Sequence, residues 1–244
     1  MKTQEHYDNH LSSFYSWMIG DFGKAVASQR ELFEKYGIAP RASGIAIDLG
    51  CGTGLQSLAL SELGFDVHAV DFSLPMLGEL RARCPRIETR QGDLRDLEFA
   101  KFLAPEVIVC MGDTLTHLDS KSSVESLVQD CASLLQPDAR LILSFRDLSR
   151  LPALADRFMP VRADEDRILT CFLEDAGEKV RVFDLLYEKQ GPAWKLKSSY
   201  YEKLKLAAGW VRQLLQSGFE VSGETLPGGQ ELIVGRKRAA PGAL

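Results

Sequence analysis

An α/β fold built on a mostly parallel sheet is predicted for this chain by three observations. Strand-length apolar runs alternate with amphipathic helical stretches between residues 45 and 146, a glycine-rich turn follows the first run, and the rhythm changes after Arg150 to period-two alternation. Such alternation implies right-handed crossovers, with helices on both faces of the sheet. The 244 residues are 45% hydrophobic and 26% charged, which provides a core for one such domain with an insertion.

The elements follow in order. Residues 1–40 read as an N-terminal helical flap, in which Asp21 caps a helix running to about Tyr36 with Phe22, Val26, Phe33 and Tyr36 on one face; Gly37 and Pro40 stop it. Residues 41–150 form the core. Ile45–Leu49 is a short apolar strand feeding, through the glycine turn, a helix from Leu55 to Leu63. Asp66–Val70 is the next strand, and Ser73 caps a helix with Pro75 in its first turn and Met76, Leu77 and Leu80 on its apolar side. Ile87–Arg90 and Glu106–Met111 are two more strands. Apolar residues at 124, 127, 128, 131, 134 and 135 mark a helix that Gln136 and Pro137 end, before a fifth strand from Arg140 to Phe145.

Residues 151–206 read as an antiparallel lid insertion. Its strands are Arg167–Phe172, Val180–Tyr187 and Trp194–Leu206, separated by turn signals at Asp175-Ala-Gly177 and Gln190-Gly-Pro192. In the last of them Trp194, Leu196, Tyr200, Leu204 and Leu206 alternate with Lys195, Lys197, Tyr201, Lys203 and Lys205, which predicts a packed even face and a wet odd one. Residues 207–236 complete the core with a helix (Ala207–Ser217) and a hairpin (Phe219–Thr225 with Gln230–Gly235), and 237–244 is a tail. Arg236-Lys-Arg238 reads as a strand end rather than a nucleic-acid patch.

Composition narrows the function. Twenty-nine Lys and Arg against 34 Asp and Glu leave a net charge of −5, which argues against nucleic acid or an anionic membrane as the main partner. The longest apolar run, Val107–Met111, is far short of the ~20 residues that span a bilayer. The first ten residues are mostly polar, unlike a secretory h-region. Five scattered cysteines without a C-x-x-C argue against a disulfide scaffold or zinc ribbon, and no His/Cys/Asp/Glu cluster has metal-ligand spacing. A reduced, cytoplasmic protein without a metal is expected; its oligomeric state is open.

The chemistry lies in a series of three turns. Asp48-Leu-Gly50-Cys-Gly52-Thr-Gly54 sits at a strand-to-helix turn, where glycines let a ligand approach the backbone. A dinucleotide fingerprint needs glycine at 55, where Leu55 stands, and a P-loop needs Gly-Lys-Ser/Thr, which is absent. The acid before the glycines favours a ligand with a positive end. Asp71, at the end of the next strand, is placed to accept from both hydroxyls of a ribose. Gly92-Asp93-Leu94 follows the third strand: Asp93 is suited to accept from an adenine amino group and Leu94 to cover the ring, with Phe72 and Met76 able to pack on the base.

Taken together, Asp48-Leu-Gly-Cys-Gly-Thr-Gly54, Val70-Asp71 and Gly92-Asp93 resemble the successive motifs of class I S-adenosylmethionine-dependent methyltransferases, over residues 45 to 146. The resemblance implies a Rossmann-like seven-stranded sheet with an antiparallel closing hairpin, and S-adenosylmethionine as cofactor, released as S-adenosylhomocysteine. It implies that Gly50, Cys51 and Gly52 lie against the methionyl-ribose part, Asp48 near the amino group, Asp71 on the ribose, Gly92, Asp93 and Leu94 at the adenine, and Met111 and Gly112 beside the sulfonium. The insertion is similar to that of small-molecule N-methyltransferases, where it roofs the substrate cavity. The Asn/Asp-Pro-Pro-Tyr/Phe signature of DNA amino-methyltransferases is missing, and Met111-Gly-Asp-Thr-Leu115 stands instead.

A methyl acceptor is therefore expected to be a small molecule, attacked through N or O. An RNA or protein acceptor, or a non-catalytic adenosyl- or dinucleotide-binding role, are the alternatives. Methyl transfer from a sulfonium needs alignment above all, worth ~7–11 kcal/mol, and needs a base only if the acceptor must first lose a proton. His117, beyond the fourth strand, is the candidate base, or else a histidine that fixes the loop. Asp113 could orient an amine or His117, or cap the turn; Arg146 could hold a substrate carboxylate or bridge to the lid. Tyr7, Phe14, Tyr15 and Trp17 read as an aromatic flap over the sulfonium or as plain helix packing. Of Tyr200 and Tyr201, on opposite strand faces, at most one faces the site; His68 reads as structural.

Overall fold

The computed structural model describes residues 3–239. Along the chain come helices α1 (Thr3–Asn9), α2 (Tyr15–Ile19) and α3 (Phe22–Lys35), then β1 (Ile45–Leu49), α4 (Leu55–Glu62), β2 (Asp66–Asp71), α5 (Leu74–Arg83), β3 (Glu88–Gln91), β4 (Val107–Cys110), α6 (Lys121–Leu134) and β5 (Arg140–Arg146). Four strands follow: β6 (Phe158–Ala163), β7 (Arg167–Ala176), β8 (Lys179–Gln190) and β9 (Ala193–Leu204). Then come α7 (Ala208–Gln216), β10 (Phe219–Thr225) and β11 (Gln230–Lys237). Of the tail expected over 237–244, residues 240–244 lie outside the described residues.

Seven strands form one sheet in the order β10-β11-β5-β4-β1-β2-β3. The five core strands pair in parallel, while β11 runs antiparallel to both β5 and β10. The fold is thus the Rossmann-like class that the alternation predicts. Four of the five residues of β1 and all four of β4 are buried, as expected for central strands covered on both faces. Ile47, Leu49, Leu141, Leu143 and Phe145 pack under α6 and α7; on the other face Ala46, Ala59, Leu60, Leu77, Leu80 and Phe33 join β1 to α3, α4 and α5. Fully burying each such Leu or Phe stabilises by about 1.5–3 kcal/mol. The strand order reverses between β1 and β4, so their carboxyl ends splay apart and leave a crevice there.

The insertion is an antiparallel sheet ordered β6-β7-β8-β9, one strand more than the pattern predicts. The additional strand, Phe-Met-Pro-Val-Arg-Ala, carries Pro160 and a register shift between Pro160 and Arg162. Both are tolerated because it is an edge strand.

The face assigned to β9 is corrected in part. Leu204 and Leu206 are buried as expected, but Trp194 and Leu196, also expected to pack, are 44% and 47% exposed, and Ser199, Tyr201 and Lys203 on the odd face are buried. The inner side of β9 meets a polar interior between the flap and the loop after β4, so the alternation identifies the strand but not which side is covered. Ser73 also differs from expectation: its hydroxyl donates to Asp8 Oδ1 at 2.6 Å rather than capping α5, and Asp71 Oδ1 receives its N–H at 2.8 Å.

Candidate active site

The crevice at the β1/β4 reversal opens into a cavity whose floor is the glycine turn. Gly50 (φ +73), Gly52 (φ +52) and Gly54 (φ +93) all adopt the left-handed region, but for different reasons. A Cβ on Gly50 would lie 2.2 Å from Thr114 Cγ2, and one on Gly54 2.2 Å from Leu80 Cδ1. Close packing against the loop after β4 and against α5 therefore fixes those two, while Gly52 faces the cavity between Met76 and Tyr15. Gly50 and Cys51 line the same floor.

Asp71, at the end of β2, is nearly buried and lines the cavity wall. Its Oδ2 accepts the Gly52 N–H and its Oδ1 the Ser73 N–H, each at 2.8 Å. Burial pushes its carboxyl up, and those two N–H donors pull it back. Two backbone anchors thus aim a carboxylate with spare lone pairs into the crevice. Phe72, Met76, Gly92, Leu94, Met111 and Gly112 line the cavity as well.

Four residues singled out by the sequence are elsewhere. Asp48 does not line the cavity; centred in the sheet between Ala69 and Val109, it accepts the Ser57 hydroxyl at 2.6 Å, and burial raises its carboxyl to about 7. Asp93 is half-exposed and engaged by Arg95, Nη2 to Oδ2 at 2.5 Å, and lines an adjoining cavity that shares Phe72, Gly92, Leu94 and His117 with this one. Trp17 faces the lid instead, donating to Asp164 with Arg162 and Arg167 stacked on its ring; close chain neighbours on α2 point different ways, and Tyr15 takes the inward position. Arg146 is outside the lining but at the same edge, beside Gly229, and its guanidinium has no carboxylate partner among the described residues.

The roof is assembled from three distant segments. A turn of 3-10 helix over Thr114–His117 ends in His117, whose Nε2 is hydrogen-bonded to the Tyr7 hydroxyl of α1 at 3.0 Å. The Tyr201 ring of β9 lies 5.5 Å from the imidazole, so of the two lid tyrosines it is Tyr201 that faces inward. Burial above all pushes His117 down to about 3, and the Lys203 ammonium adds to it. Tyr7 is held well above its ordinary value by burial, and Tyr15 rises to about 12 for the same reason, so both are neutral phenols.

Asp113 is in the left-handed region (φ +73) directly after Gly112 (φ +70). Its Oδ1 accepts the Arg146 N–H at 2.5 Å and its Oδ2 accepts Lys203 Nζ at 2.7 Å. Burial opposes its ionisation, but Lys203 and the Arg146 N–H outweigh that and hold the carboxyl below its usual range. Behind this layer His6 of α1 bonds Asp184 Oδ2 at 3.0 Å and Ser199 Oγ at 2.8 Å, tying flap to lid.

Residues 46–138 match a family described as a methyltransferase domain. Over that stretch the chain resembles the class I S-adenosylmethionine-dependent methyltransferases. It is 31% identical over 155 residues to a cypemycin N-terminal methyltransferase from a Streptomyces species, covering 56% of this chain and 62% of that protein. It is 28% identical over 149 residues to the glycine/sarcosine N-methyltransferase of Halorhodospira halochloris, covering 59% of this chain and 54% of the relative. The matched stretch is thus little more than half the length of those relatives. In fold it is similar to the CcbJ methyltransferase of Streptomyces caelestis, with a TM-score of 0.77, 17% identity, and coverage of 98% of this chain and 100% of that one. A SAM-bound amino pentose methyltransferase of Micromonospora echinaspora gives 0.73 at 18% identity, covering 91% and 94%.

The cavity's residues fit S-adenosylmethionine, the methyl donor that the resemblance implies. Thr53 Oγ1 is buried at the cavity floor without a hydrogen-bond partner among the described residues, which suits a polar ligand atom. Gln29 of α3 and Gln56 of α4 meet at the same end, with amide groups for a ligand's charged terminus. Sequence reasoning missed these three, together with Ser144 and Gln230. Ser144 carried a signal, as the one polar residue inside Leu-Ile-Leu-Ser-Phe; its Oγ accepts the Gly112 N–H at 3.0 Å. Gln29, on an amphipathic helix, carried none. Among the described residues no group of three or more His, Cys, Asp or Glu could hold a metal, and no helix is long and apolar enough to cross a membrane.

Proposed function

We propose that this protein transfers a methyl group from S-adenosylmethionine to the nitrogen of a small amine. The observation that carries the reading is the junction of two unlike halves in one cavity: a backbone-anchored carboxylate, Asp71, beside the glycine turn, and a neutral Tyr7–His117 pair under the lid. Asp71, Gly52, Phe72, Gly92 and Leu94 would hold the adenosyl part, and Thr53, Gln29 and Gln56 the amino-acid end. The donor supplies a methyl made electrophilic by its sulfonium. What the chain adds is alignment, a dry chamber, and dipoles suited to positive charge.

Nitrogen is favoured over oxygen by the state of His117. An imidazole pushed down to about 3 is too weak a base to take the proton of a hydroxyl, whereas an unprotonated amine attacks with its own lone pair. With His117 Nε2 accepting its hydrogen bond, Tyr7 keeps the phenol oxygen's lone pairs free to face the charge that develops on nitrogen. Arg146, without a carboxylate of its own, is placed to hold an anionic group of the acceptor. The glycine/sarcosine relatives agree with an amino-acid-like acceptor, and the cypemycin relative with a peptide α-amine.

Calorimetric titration with S-adenosylhomocysteine tests the donor half. Micromolar binding by the wild type, weakened at least tenfold in Asp71→Ala, is expected; no binding by folded wild type overturns the reading. A methyl-labelled donor offered to a panel of amines, amino acids and phenols then tests the acceptor half, with amines expected to be labelled and phenols not.

A further inference from the structure

Lys203 is an unusual occupant of the inner face of a sheet. Its side chain is 10% exposed, that of its partner Asp113 14%, and its Nζ stands over the Tyr201 ring at 5.5 Å. A buried ion pair gains little over an apolar residue of the same size, so packing alone does not account for a lysine here. The groups around His117 come from three places. From α1 come Tyr7 and His6, from β9 Tyr201, Lys203 and the Glu202 main chain, and from its own loop Asp113. Asp113 holds Lys203 with one oxygen and the end of β5 with the other, so a single carboxylate joins lid, loop and sheet edge.

We propose that Lys203 is a positioning residue for His117: clamped on Asp113, its ammonium fastens the last lid strand over the imidazole and keeps a further positive charge off the ring, which stays a hydrogen-bond acceptor for Tyr7. This rests on the reading of the chamber as the acceptor site, where an imidazolium would oppose both the sulfonium and the nitrogen that becomes cationic. Burial lowers His117 first and Lys203 lowers it further, while Asp113 pulls the other way; the lysine is what keeps that carboxylate from stabilising the charged ring.

The test is an NMR titration of the full chain labelled with 15N-histidine, the His117 signal being assigned by its loss in His117→Asn. In the wild type His117 does not titrate between pH 8 and 5. In Lys203→Met, which leaves Asp113 unpaired against the ring, its midpoint rises by one pH unit or more; in Lys203→Met/Asp113→Asn the rise is at least half reversed, and Lys203→Arg behaves as wild type. An unchanged midpoint in Lys203→Met, or a rise that the double variant retains in full, overturns the proposal. Should Lys203→Met fail to fold, Lys203→Gln under the same titration decides between the same outcomes. The titration uses neither donor nor acceptor. Its failure is therefore distinct from a failure to bind S-adenosylhomocysteine, which would sink the methyl-transfer reading.

Discussion

The two halves of the cavity are built in opposite ways. The proposed adenosyl half is made of turns that leave adjacent parallel strands, so strand register alone places Asp71 beside Gly52, nineteen residues apart in the chain. The proposed acceptor half is made of side chains brought together from flap, loop and lid. Tyr7 and His117 are 110 residues apart, Asp113 and Lys203 90, and His6 and Ser199 193. One half is a property of the sheet edge, and the other depends on contacts between segments far apart in the chain. The first should thus respond to changes in backbone geometry, and the second to loss of single long-range contacts.

Two glycines test that contrast most severely. Gly50 and Gly112 have nearly the same φ, +73 and +70, but a Cβ would meet Thr114 at 2.2 Å in the first case and nothing within 4 Å in the second. Gly50→Ala combines a left-handed alanine with overpacking, about 3 kcal/mol or more together, and should abolish S-adenosylhomocysteine binding. Gly112→Ala has only the conformational penalty, about 1 kcal/mol. Denaturant unfolding and calorimetry read both; equal effects at the two sites would mean that the cradle is no more rigid than the acceptor loop.

The next effect belongs to the tie between flap and lid. His6→Ala removes the buried partner of Asp184 Oδ2, leaving that oxygen unsatisfied at about 2 kcal/mol. The expected signature is local: proteolysis within residues 3–20 speeds up, while affinity for S-adenosylhomocysteine falls by less than tenfold. A loss of affinity as large as that of Asp71→Ala would erase the distinction between the halves.

What the sequence made legible follows the same division. The strands from Ile45 to Arg146 and the carboxylate of Asp71 at the cavity wall could be read because a parallel sheet repeats one local rule, apolar strand, turn, amphipathic helix. The lid's face could not. Lysines at 195, 197, 203 and 205 look alike in the chain, and only the position of Asp113, ninety residues away from Lys203, makes one of them an inner residue. Trp17 misled for the opposite reason. An aromatic residue near a flap signals burial somewhere, and the lid's Arg162 and Arg167 claim it before the cavity does. Asp48 shows that even a motif residue can be turned into the fold, because the pleat of β1 aims it at Ser57.

Asp48 also gives a pH-dependent prediction for the adenosyl half. Its carboxyl is raised to about 7 in the folded chain, against an ordinary value of 3.8, so between those values the folded state binds more protons than the unfolded one. Stability at this site is then greatest below pH 4, declines as pH rises through that window, and is lowest above pH 7. Asp48→Asn keeps an acceptor for Ser57 and removes the titration. At pH 8 it should be more stable than wild type, and at pH 4 the two should nearly coincide. A parallel pair of stability–pH curves would show that Asp48 does not titrate in this range.

The smallest expected change is the sharpest probe of the acceptor half. Tyr7→Phe deletes one oxygen, and with it the 3.0 Å hydrogen bond to His117, while the ring keeps its edge-on contacts with Phe72 and His117, centroids 5.4 and 5.5 Å away. A net hydrogen bond of about 1 kcal/mol corresponds to roughly a fivefold loss. If the hydroxyl faces the charge that develops on the acceptor, the loss falls on kcat, because the stabilised charge exists in the transition state and not in the bound donor. Affinity for S-adenosylhomocysteine should then stay within twofold of wild type. If instead affinity falls while kcat holds, Tyr7 is a wall of the donor site, and the boundary between the two halves moves from the sulfonium to the inner face of the flap.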